Sequence, residues 1–203
     1  YLAPKKLISE TIGFFAKSQN YYIKTFFIKN FQKTYNVNLK EAIYEDVELY
    51  SSFNSFFTRE LKPESRPIDE NINSIISPAD GVVSQIGNIN SGKIIQAKGI
   101  YFNLLSFLGN DKEYFKKFKD GLFSTIYLSP KDYHRVHMPI DGKLSKMVYI
   151  PGKLFSVNKI TTRSVKNLYS INERLVCFFD TVRGPMSLVL VGAMIVSGIT
   201  VQL

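Results

Sequence analysis

Residues 174–196 read RLVCFFDTVRGPMSLVLVGAMIV, and this stretch decides the class of fold. It contains two mainly apolar runs, 174–179 and 186–196, with a glycine between them. Short runs that are rich in β-branched residues and bounded by glycine are typical of β-strands. Four more runs of this kind lie earlier in the chain, at 81–86, 93–97, 123–128 and 142–150. The sequence therefore predicts a β-rich domain.

Helices are expected in two other places. Between Pro4 and Tyr35, apolar residues alternate with lysines in a pattern typical of amphipathic helices, and a break is expected near Ser18-Gln19-Asn20. The segment from Asn103 to Lys119 is predicted as a helical insertion among the strands. The prediction is an α+β protein with N-terminal amphipathic helices followed by a β-rich domain. We expect residues 1–40 to form the basic amphipathic helical segment and residues 41–203 to form the β-rich domain.

The charge of the chain is unevenly distributed. The 203 residues carry a formal net charge of +9, and residues 1–40 hold seven lysines against one acid, Glu10. A basic, aromatic-rich amphipathic segment suits an anionic bilayer surface. Nucleic acid is the competing acidic partner, but the segment has no arginine and no nucleic-acid motif follows it, so we expect none. The remaining alternative is a pair of packed helices with a solvated lysine face.

Several classes of protein are disfavoured by composition. The apolar runs are shorter than the roughly 20 residues that span a bilayer, and no secretory signal pattern is present, so we expect no membrane crossing. The single cysteine, Cys177, cannot form a disulfide framework or a cysteine-based metal site, and we expect a buried, inert thiol.

The chain has only two histidines, His134 and His137, and both lie in the stretch LSPKDYHRVHMP at 128–139. Pro130 and Pro139 favour an irregular or extended backbone there. Zinc is one hypothesis, but two histidines without a third ligand make an incomplete site, so no metal is assigned. The alternative is acid–base chemistry, in which an imidazole held by a carboxylate takes a proton from a serine hydroxyl.

Asp80 is the leading candidate for that carboxylate. It lies in SPADG at 77–81, where a turn leads into a strand and can present a side chain at a rim. Asp-Gly is also ordinary turn chemistry, and this alternative stays open. Asp132 and Asp141 are weaker candidates on the same grounds.

Several separate stretches together resemble the phosphatidylserine decarboxylase family, specifically its bacterial membrane-associated type. They keep the family's order and cover nearly the whole chain. They are FNSFFTREL (53–61), RPID (66–69), PADG (78–81), QAKG (96–99), LSPKDYHRVHMP (128–139), YIPGKLFSVN (149–158), NER (172–174) and VGA (191–193). The two-histidine stretch and PGKLFSVN are the most diagnostic of them.

The resemblance implies a proenzyme that cleaves itself before the serine of a Leu-Gly-Ser-Thr motif and converts that serine into a pyruvoyl cofactor. The fragment before the cut is the β subunit, which this chain resembles, and the fragment after it is the α subunit. By the same resemblance, Asp80 orients His137, and His137 is the base that activates the serine. His134 assists decarboxylation of phosphatidylserine to phosphatidylethanolamine and carbon dioxide.

The resemblance implies that residues 41–203 are the catalytic domain and, because no Leu-Gly-Ser-Thr occurs in the 203 residues, that this domain is incomplete at its C-terminus. The pyruvoyl-forming serine is therefore expected in the α subunit, residues 1–40 are expected to bind the membrane, and this chain alone is expected to be inactive. The resemblance further implies a peripheral location on the cytoplasmic face of a bacterial inner membrane, with a homodimer as an open alternative. Two other functions compete with this one. One is a non-catalytic lipid-binding β module with a basic helical anchor, and the other is a zinc-dependent hydrolase.

Overall fold

The computed structural model describes residues 5–194 and 198–202, with side chains from Thr11 onward. Helices and strands are mixed within this part of the chain, which confirms the α+β class. The helices are α1 (Lys5–Ala16), α2 (Tyr21–Tyr35), α3 (Phe53–Phe57), α4 (Leu104–Phe107), α5 (Lys112–Phe118), α6 (Lys159–Ser164) and α7 (Leu168–Ile171). The strands are β1 (Val82–Asn88), β2 (Lys93–Ala97), β3 (Ile100–Asn103), β4 (Leu122–Tyr127), β5 (Gly142–Ile150), β6 (Arg174–Thr181) and β7 (Gly184–Val191). Short 3-10 turns lie at Val47–Leu49 and Pro63–Ser65.

Helices α1 and α2 are separate, as the sequence predicts. Asn20 begins α2, because its side-chain oxygen accepts hydrogen bonds from the backbone N–H groups of Tyr22 and Ile23. Those groups have no partner inside the helix, so the cap stabilises this end. Asn36 ends the helix in the left-handed conformation, with φ of 53°, and its N–H donates to the carbonyl of Gln32. No helix among residues 5–194 has the length and hydrophobicity needed to span a bilayer.

The chain divides into two compact units. One, the β-rich unit, is formed mainly by Val83–Tyr127 and the residues from Asp141 onward. The other, the helical unit, is formed by Glu10–Val82 and Leu128–Ile140. The sequence predicts a boundary at residue 40 because residues 1–40 are expected to bind a membrane. That functional boundary stays a prediction.

In the β-rich unit, β5, β6 and β7 form an antiparallel sheet in that order, while β1 pairs with β4 and β2 pairs with β3. Strand β6 is central, and its residues 175–178 are all buried, which explains why they form a continuous apolar run instead of an alternating one. Cys177 is buried and free, and burial raises the pKa of its thiol, as expected for an inert cysteine. The core of this unit is built from Ile89, Ile94, Phe102, Leu104, Leu108, Tyr114, Leu168, Tyr169, Val176 and Phe178.

The predicted helical insertion is confirmed as two short helices, α4 and α5. The strand predicted at 186–196 begins two residues earlier and ends at Val191, and its positions 195 and 196 lie outside the described residues. Strand β3 and helices α3, α6 and α7 are not among the predicted elements. The helical unit has its own small core, formed by Ile28, Val37, Leu39, Ala42, Tyr50 and Phe56.

Candidate active site

The two histidines lie on an irregular loop, residues 128–140, which we call the histidine loop. Asp132 organises its first turn, because its carboxylate accepts hydrogen bonds from the backbone N–H of Ser129 (2.6 Å) and from the Ser129 hydroxyl (2.8 Å). Asp132 is therefore engaged in shaping the loop. Asp141, the other weak carboxylate candidate, belongs to the β-rich unit.

His134 is partly buried, and its Nδ1 lies 2.8 Å from the carbonyl oxygen of Asp132. A carbonyl can only accept, so Nδ1 carries the proton and the lone pair of a neutral ring resides on Nε2. Burial lowers the pKa of His134, and the nearby positive charge of Arg59 lowers it further, although the backbone and charge of Asp132 act in the opposite direction. His134 is therefore a neutral imidazole at neutral pH, with Nε2 able to accept a proton.

His137 has different partners. Its Nε2 lies 2.9 Å from the hydroxyl of Tyr133, and the two rings are stacked. Burial raises the pKa of Tyr133, so the phenol keeps its proton at neutral pH and can donate to a neutral imidazole. The side chain of His137 is exposed, and its backbone N–H donates to the carbonyl of Pro78 (2.8 Å). This backbone bond ties the histidine loop to the turn that carries Asp80.

Asp80 is held by Arg66 in a two-point ion pair. Nε and Nη2 of Arg66 donate to the two carboxylate oxygens at 2.8 and 2.6 Å. The hydrogen bond from Arg66 is the main reason why the pKa of Asp80 is lowered, with weaker contributions from the charges of Arg66 and Arg59. The next residue, Gly81, has φ of 134°, which only glycine adopts without strain, so the turn depends on the Asp-Gly pair.

Two arginines join the histidine loop to the segment that follows α3. Nη2 of Arg59 donates to the carbonyl of Lys131 (2.9 Å). In the reverse direction, Arg135 donates from Nε to the carbonyl of Thr58 (2.8 Å) and pairs with Glu60 (2.9 Å). These contacts span more than 70 residues of sequence, so they hold the loop in place by tertiary structure alone.

The structure therefore brings Asp80, His134 and His137 into one unit, but with separate side-chain partners. Among the residues that are described, no hydrogen bond joins the Asp80 carboxylate to the His137 ring. The orientation of His137 by Asp80 stays a prediction. The sequence analysis did not identify Tyr133, Arg59 or Arg66 as partners, although each lies inside a stretch that carries the family resemblance.

The stretch YIPGKLFSVN serves packing in the β-rich unit. Asn172 is fully buried and ties this stretch to β7. It accepts from the N–H of Phe155 and donates to the carbonyls of Phe155 and Gly192. A side chain at Gly152 would lie 2.5 Å from the backbone of Asn172, so only glycine fits there. Close packing therefore accounts for Gly152 and Asn172 in this part of the resemblance.

Aromatic side chains of α1 and α2 form a surface in the helical unit. Phe14, Tyr22 and Phe26 are 75%, 80% and 65% exposed, and an apolar groove of about 300 Å³ lies beside them. The groove is lined by Phe15, Tyr22, Ile23, Phe26 and Phe27. Lys24, by contrast, is engaged within the unit, because its Nζ donates to the carbonyls of Glu48 (2.9 Å) and Tyr50 (2.5 Å). One of the seven N-terminal lysines thus serves packing.

The zinc hypothesis requires at least three ligands close together. In the part of the chain that the structure describes, no group of three or more His, Cys, Asp or Glu side chains is arranged to hold a metal ion. The two histidines instead bond to a backbone carbonyl and a tyrosine hydroxyl.

Comparisons with known proteins agree with the resemblance in the sequence. A family model described as phosphatidylserine decarboxylase matches residues 53–203, and a model described as PSD matches residues 1–36. Curated relatives named phosphatidylserine decarboxylase proenzyme come from Shewanella amazonensis (51% identical), Hahella chejuensis (53%) and Pseudomonas putida (54%). Each match covers 98% of this chain and 67–69% of the relative. This level of identity favours an enzyme over the lipid-binding module and the zinc hydrolase.

Proposed function

This chain belongs to the phosphatidylserine decarboxylase family, and we propose that it supplies the histidine-bearing part of a pyruvoyl-dependent active site, as the β subunit of a self-cleaving proenzyme. Its substrate is phosphatidylserine, and its products are phosphatidylethanolamine and carbon dioxide. The observation that carries the proposal is the histidine loop, where two imidazoles three residues apart have separate partners and can do separate tasks.

His134 serves decarboxylation. The bond from Nδ1 to the Asp132 carbonyl fixes the tautomer, and its lowered pKa keeps the ring neutral. Nε2 is then the atom that accepts a proton or a hydrogen bond from the reacting group and can return the proton later. A histidine that was already protonated could not begin this cycle as an acceptor.

His137 serves self-cleavage, as the base that activates the serine hydroxyl. The Tyr133 hydroxyl marks the position that a hydroxyl takes at Nε2 of His137, at 2.9 Å. For catalysis, the serine replaces the phenol there, and Nε2 accepts its proton. Asp80 is the carboxylate that orients His137. Its lowered pKa keeps it ionised, and the bond from the His137 N–H to Pro78 keeps its turn beside the loop.

The pyruvoyl group, made from a serine of the α subunit, supplies a carbonyl that takes up electrons when carbon dioxide leaves. The residues present fit such a group. Nε2 of His134 has no hydrogen-bond partner among the described residues, so it is available to bond to the cofactor or the substrate. We assign to this chain the acid–base residues around the cofactor, and to the α subunit the cofactor itself.

The aromatic surface of α1 and α2 docks on an anionic membrane, and residues 1–40 act as the membrane-binding segment. Exposed aromatic rings favour the bilayer interface, and lysines are attracted to anionic headgroups. The proposed location is the cytoplasmic face of a bacterial inner membrane, where the substrate lipid resides. The test is flotation with vesicles containing phosphatidylglycerol. Phe26→Ser should weaken binding, while Tyr101→Ser, an exposed residue of β3, should not.

The division of labour between the histidines is tested with the protein expressed from its full-length gene. His137→Ala should leave one uncut chain on a denaturing gel. His134→Ala should be cut normally, and intact mass should show a small chain with a pyruvoyl terminus, but decarboxylation should fall by about 100-fold or more. Val136→Ala, in the same loop, is the control and should behave as the wild type. Normal cleavage by His137→Ala, or normal turnover by His134→Ala, would defeat the assignment.

A further inference from the structure

The ring of Phe57 packs directly against the ring of His134. The two centroids are 4.0 Å apart and the planes are inclined by 37°, which is the closest ring contact in the helical unit among the described residues. His134 is thus held at two points, by the hydrogen bond from Nδ1 to the Asp132 carbonyl and by the face of Phe57. One hydrogen bond alone leaves an imidazole free to tilt about the bond, whereas a second contact on its face removes that freedom.

Phe57 is itself fixed by other aromatic rings. It stacks on Phe53, one turn earlier in α3, with centroids 6.0 Å apart and an interplanar angle of 20°. Phe31 of α2 contacts both rings edge-on, at 5.1 Å from Phe53 and 5.9 Å from Phe57. We call Phe31, Phe53 and Phe57 the aromatic cluster. Offset and edge-to-face pairs of this kind add to the packing energy and restrict ring orientation.

The neighbouring residue Phe56 shows that Phe57 is not simply part of the core. Phe56 is fully buried and contacts Tyr50 and Phe31 inside the helical unit. Phe57 is only partly buried, and its side chain is the one that reaches the histidine loop. The two adjacent phenylalanines of α3 therefore have different surroundings. Phe56 packs in the core of the helical unit, whereas Phe57 packs against the candidate active-site residue His134.

We propose that Phe57 is the positioning residue of His134, and that its ring, fixed by the aromatic cluster, holds the imidazole so that Nε2 stays available to the reacting group. The inference rests on the proposed role of His134 in decarboxylation. Phe57 touches neither substrate nor cofactor in this assignment, since it acts through the imidazole. A ring that tilts misplaces Nε2, and misplacement by about 1 Å can reduce a rate by about 100-fold.

The test compares Phe57→Leu with Phe56→Leu in protein expressed from the full-length gene. Phe57→Leu should be cleaved normally, because His137 is held by other contacts. Its kcat should fall by about tenfold or more while KM stays within about twofold, because positioning of the base acts on the chemical step. Phe56→Leu should lower the melting temperature more than Phe57→Leu does, but it should change kcat and the acid limb of its pH profile less, because Phe56 does not contact the His134 ring.

A pH profile separates positioning from a general loss of structure. Loss of the Phe57 ring admits water to His134, so the lowered pKa of His134 should rise toward its ordinary value, and the acid limb of kcat should move to higher pH. The charged groups near this ring, Arg59 and Asp132, are kept in both variants. Histidine NMR should show the same rise directly, with the His134 signal assigned by its absence in His134→Gln. Phe57→Tyr, which keeps an aromatic face, should restore most of kcat.

Two outcomes would overturn the inference. One is a Phe57→Leu enzyme with wild-type kcat and acid limb, and the other is a Phe56→Leu enzyme that shows the same changes as Phe57→Leu. Failure of the proposed function is distinguishable, because His134→Ala would then decarboxylate normally whatever the Phe57 variants do.

Discussion

Each of the two units contains one almost fully buried arginine, and the two are satisfied very differently. Arg174, at the start of β6, is 2% exposed and donates to four carbonyl oxygens at 2.7–2.8 Å, those of Ser106, Phe107, Ser170 and Asn172. Arg59, after α3, is 4% exposed and makes one short hydrogen bond, to Lys131 (2.9 Å), and a long one to Asp132 (3.5 Å). Nε and Nη1 of Arg59 are buried without a hydrogen-bond partner.

The two arginines therefore differ in how completely their donors are satisfied. Arg174 uses its hydrogen bonds to close the ends of α4 and α7 onto β6, so its charge is compensated by well-placed carbonyl dipoles. Arg59 packs over the Phe56 ring and leaves two of its nitrogens without a hydrogen-bond partner beside the histidine loop. Buried polar groups without partners are rare in native proteins and concentrate where function requires them. Of the two arginines, Arg59 is therefore the one whose hydrogen bonds are incompletely satisfied, and it lies next to the histidine loop.

The largest effect on stability is expected for Arg174→Met. The substitution removes a donor from four carbonyl oxygens. Ser106 keeps a bond from the N–H of Gly109, but the other three lose their side-chain donor, and each buried acceptor left unsatisfied costs about 1–3 kcal/mol. The free energy of unfolding should fall by about 4 kcal/mol or more, measured by urea denaturation with circular dichroism. Lys143→Met, an exposed change on β5, should stay within about 0.5 kcal/mol of the wild type. A loss below about 1 kcal/mol for Arg174→Met would remove the contrast between the arginines.

Arg59→Met should have a smaller effect on stability and a larger one on catalysis. One short hydrogen bond is lost, but a buried charge is removed as well, so we expect a cost of about 1–2 kcal/mol. Because the positive charge of Arg59 helps to lower the pKa of His134, its removal should raise that pKa and move the acid limb of kcat to higher pH. Lys131→Met removes an exposed cation from the histidine loop and should leave the acid limb of kcat at the wild-type pH. An unchanged limb for Arg59→Met would make Arg59 a purely structural residue.

The smallest effect concerns the acid stability of the Asp80–Arg66 pair. The pKa of Asp80 is lowered in the folded protein, so the ionised carboxylate stabilises the fold. That contribution is present above the ordinary aspartate pKa of about 3.9 and is lost as the pH falls through the lowered value. Asp80→Asn should therefore make the melting temperature fall less steeply below about pH 4. The corresponding change in the free energy of unfolding should be under about 1 kcal/mol, because the pair is partly exposed.

A double-mutant comparison checks the cause. Asp80→Asn should have a smaller effect in an Arg66→Met background than in the wild type, because Arg66 is the main reason why the pKa of Asp80 is lowered; Arg66 also pairs with Glu41, so its own substitution is not the control. The same effect of Asp80→Asn in both backgrounds would show that the acid sensitivity of Asp80 comes from a partner other than Arg66.

Much of the fold was predictable because its signals are local. The break between α1 and α2 follows from Asn20, a strong helix cap. Strand β2 begins at Lys93 and ends at Ala97, as the run at 93–97 predicts. Strand β3 and helix α3 escaped prediction because four or five residues carry too little periodicity to indicate an element. The paired histidines were found because the chain has no others. Tyr133 could have been suspected from its place in the same loop, but nothing in the sequence connects Arg66 to Asp80.

The sequence by itself determined the class of fold, the separation of the two N-terminal helices and the family, because apolar runs, caps and short motifs are properties of neighbouring residues. Only the tertiary structure decided how the candidate residues are partnered. Phe57 and Arg59 contact the histidine loop across more than 70 residues, Arg135 of that loop bonds back to Thr58, and Arg66 pairs with Asp80 from 14 residues away. The tautomer and charge of His134 depend on burial and on these distant neighbours, and such contacts exist only once the chain has folded.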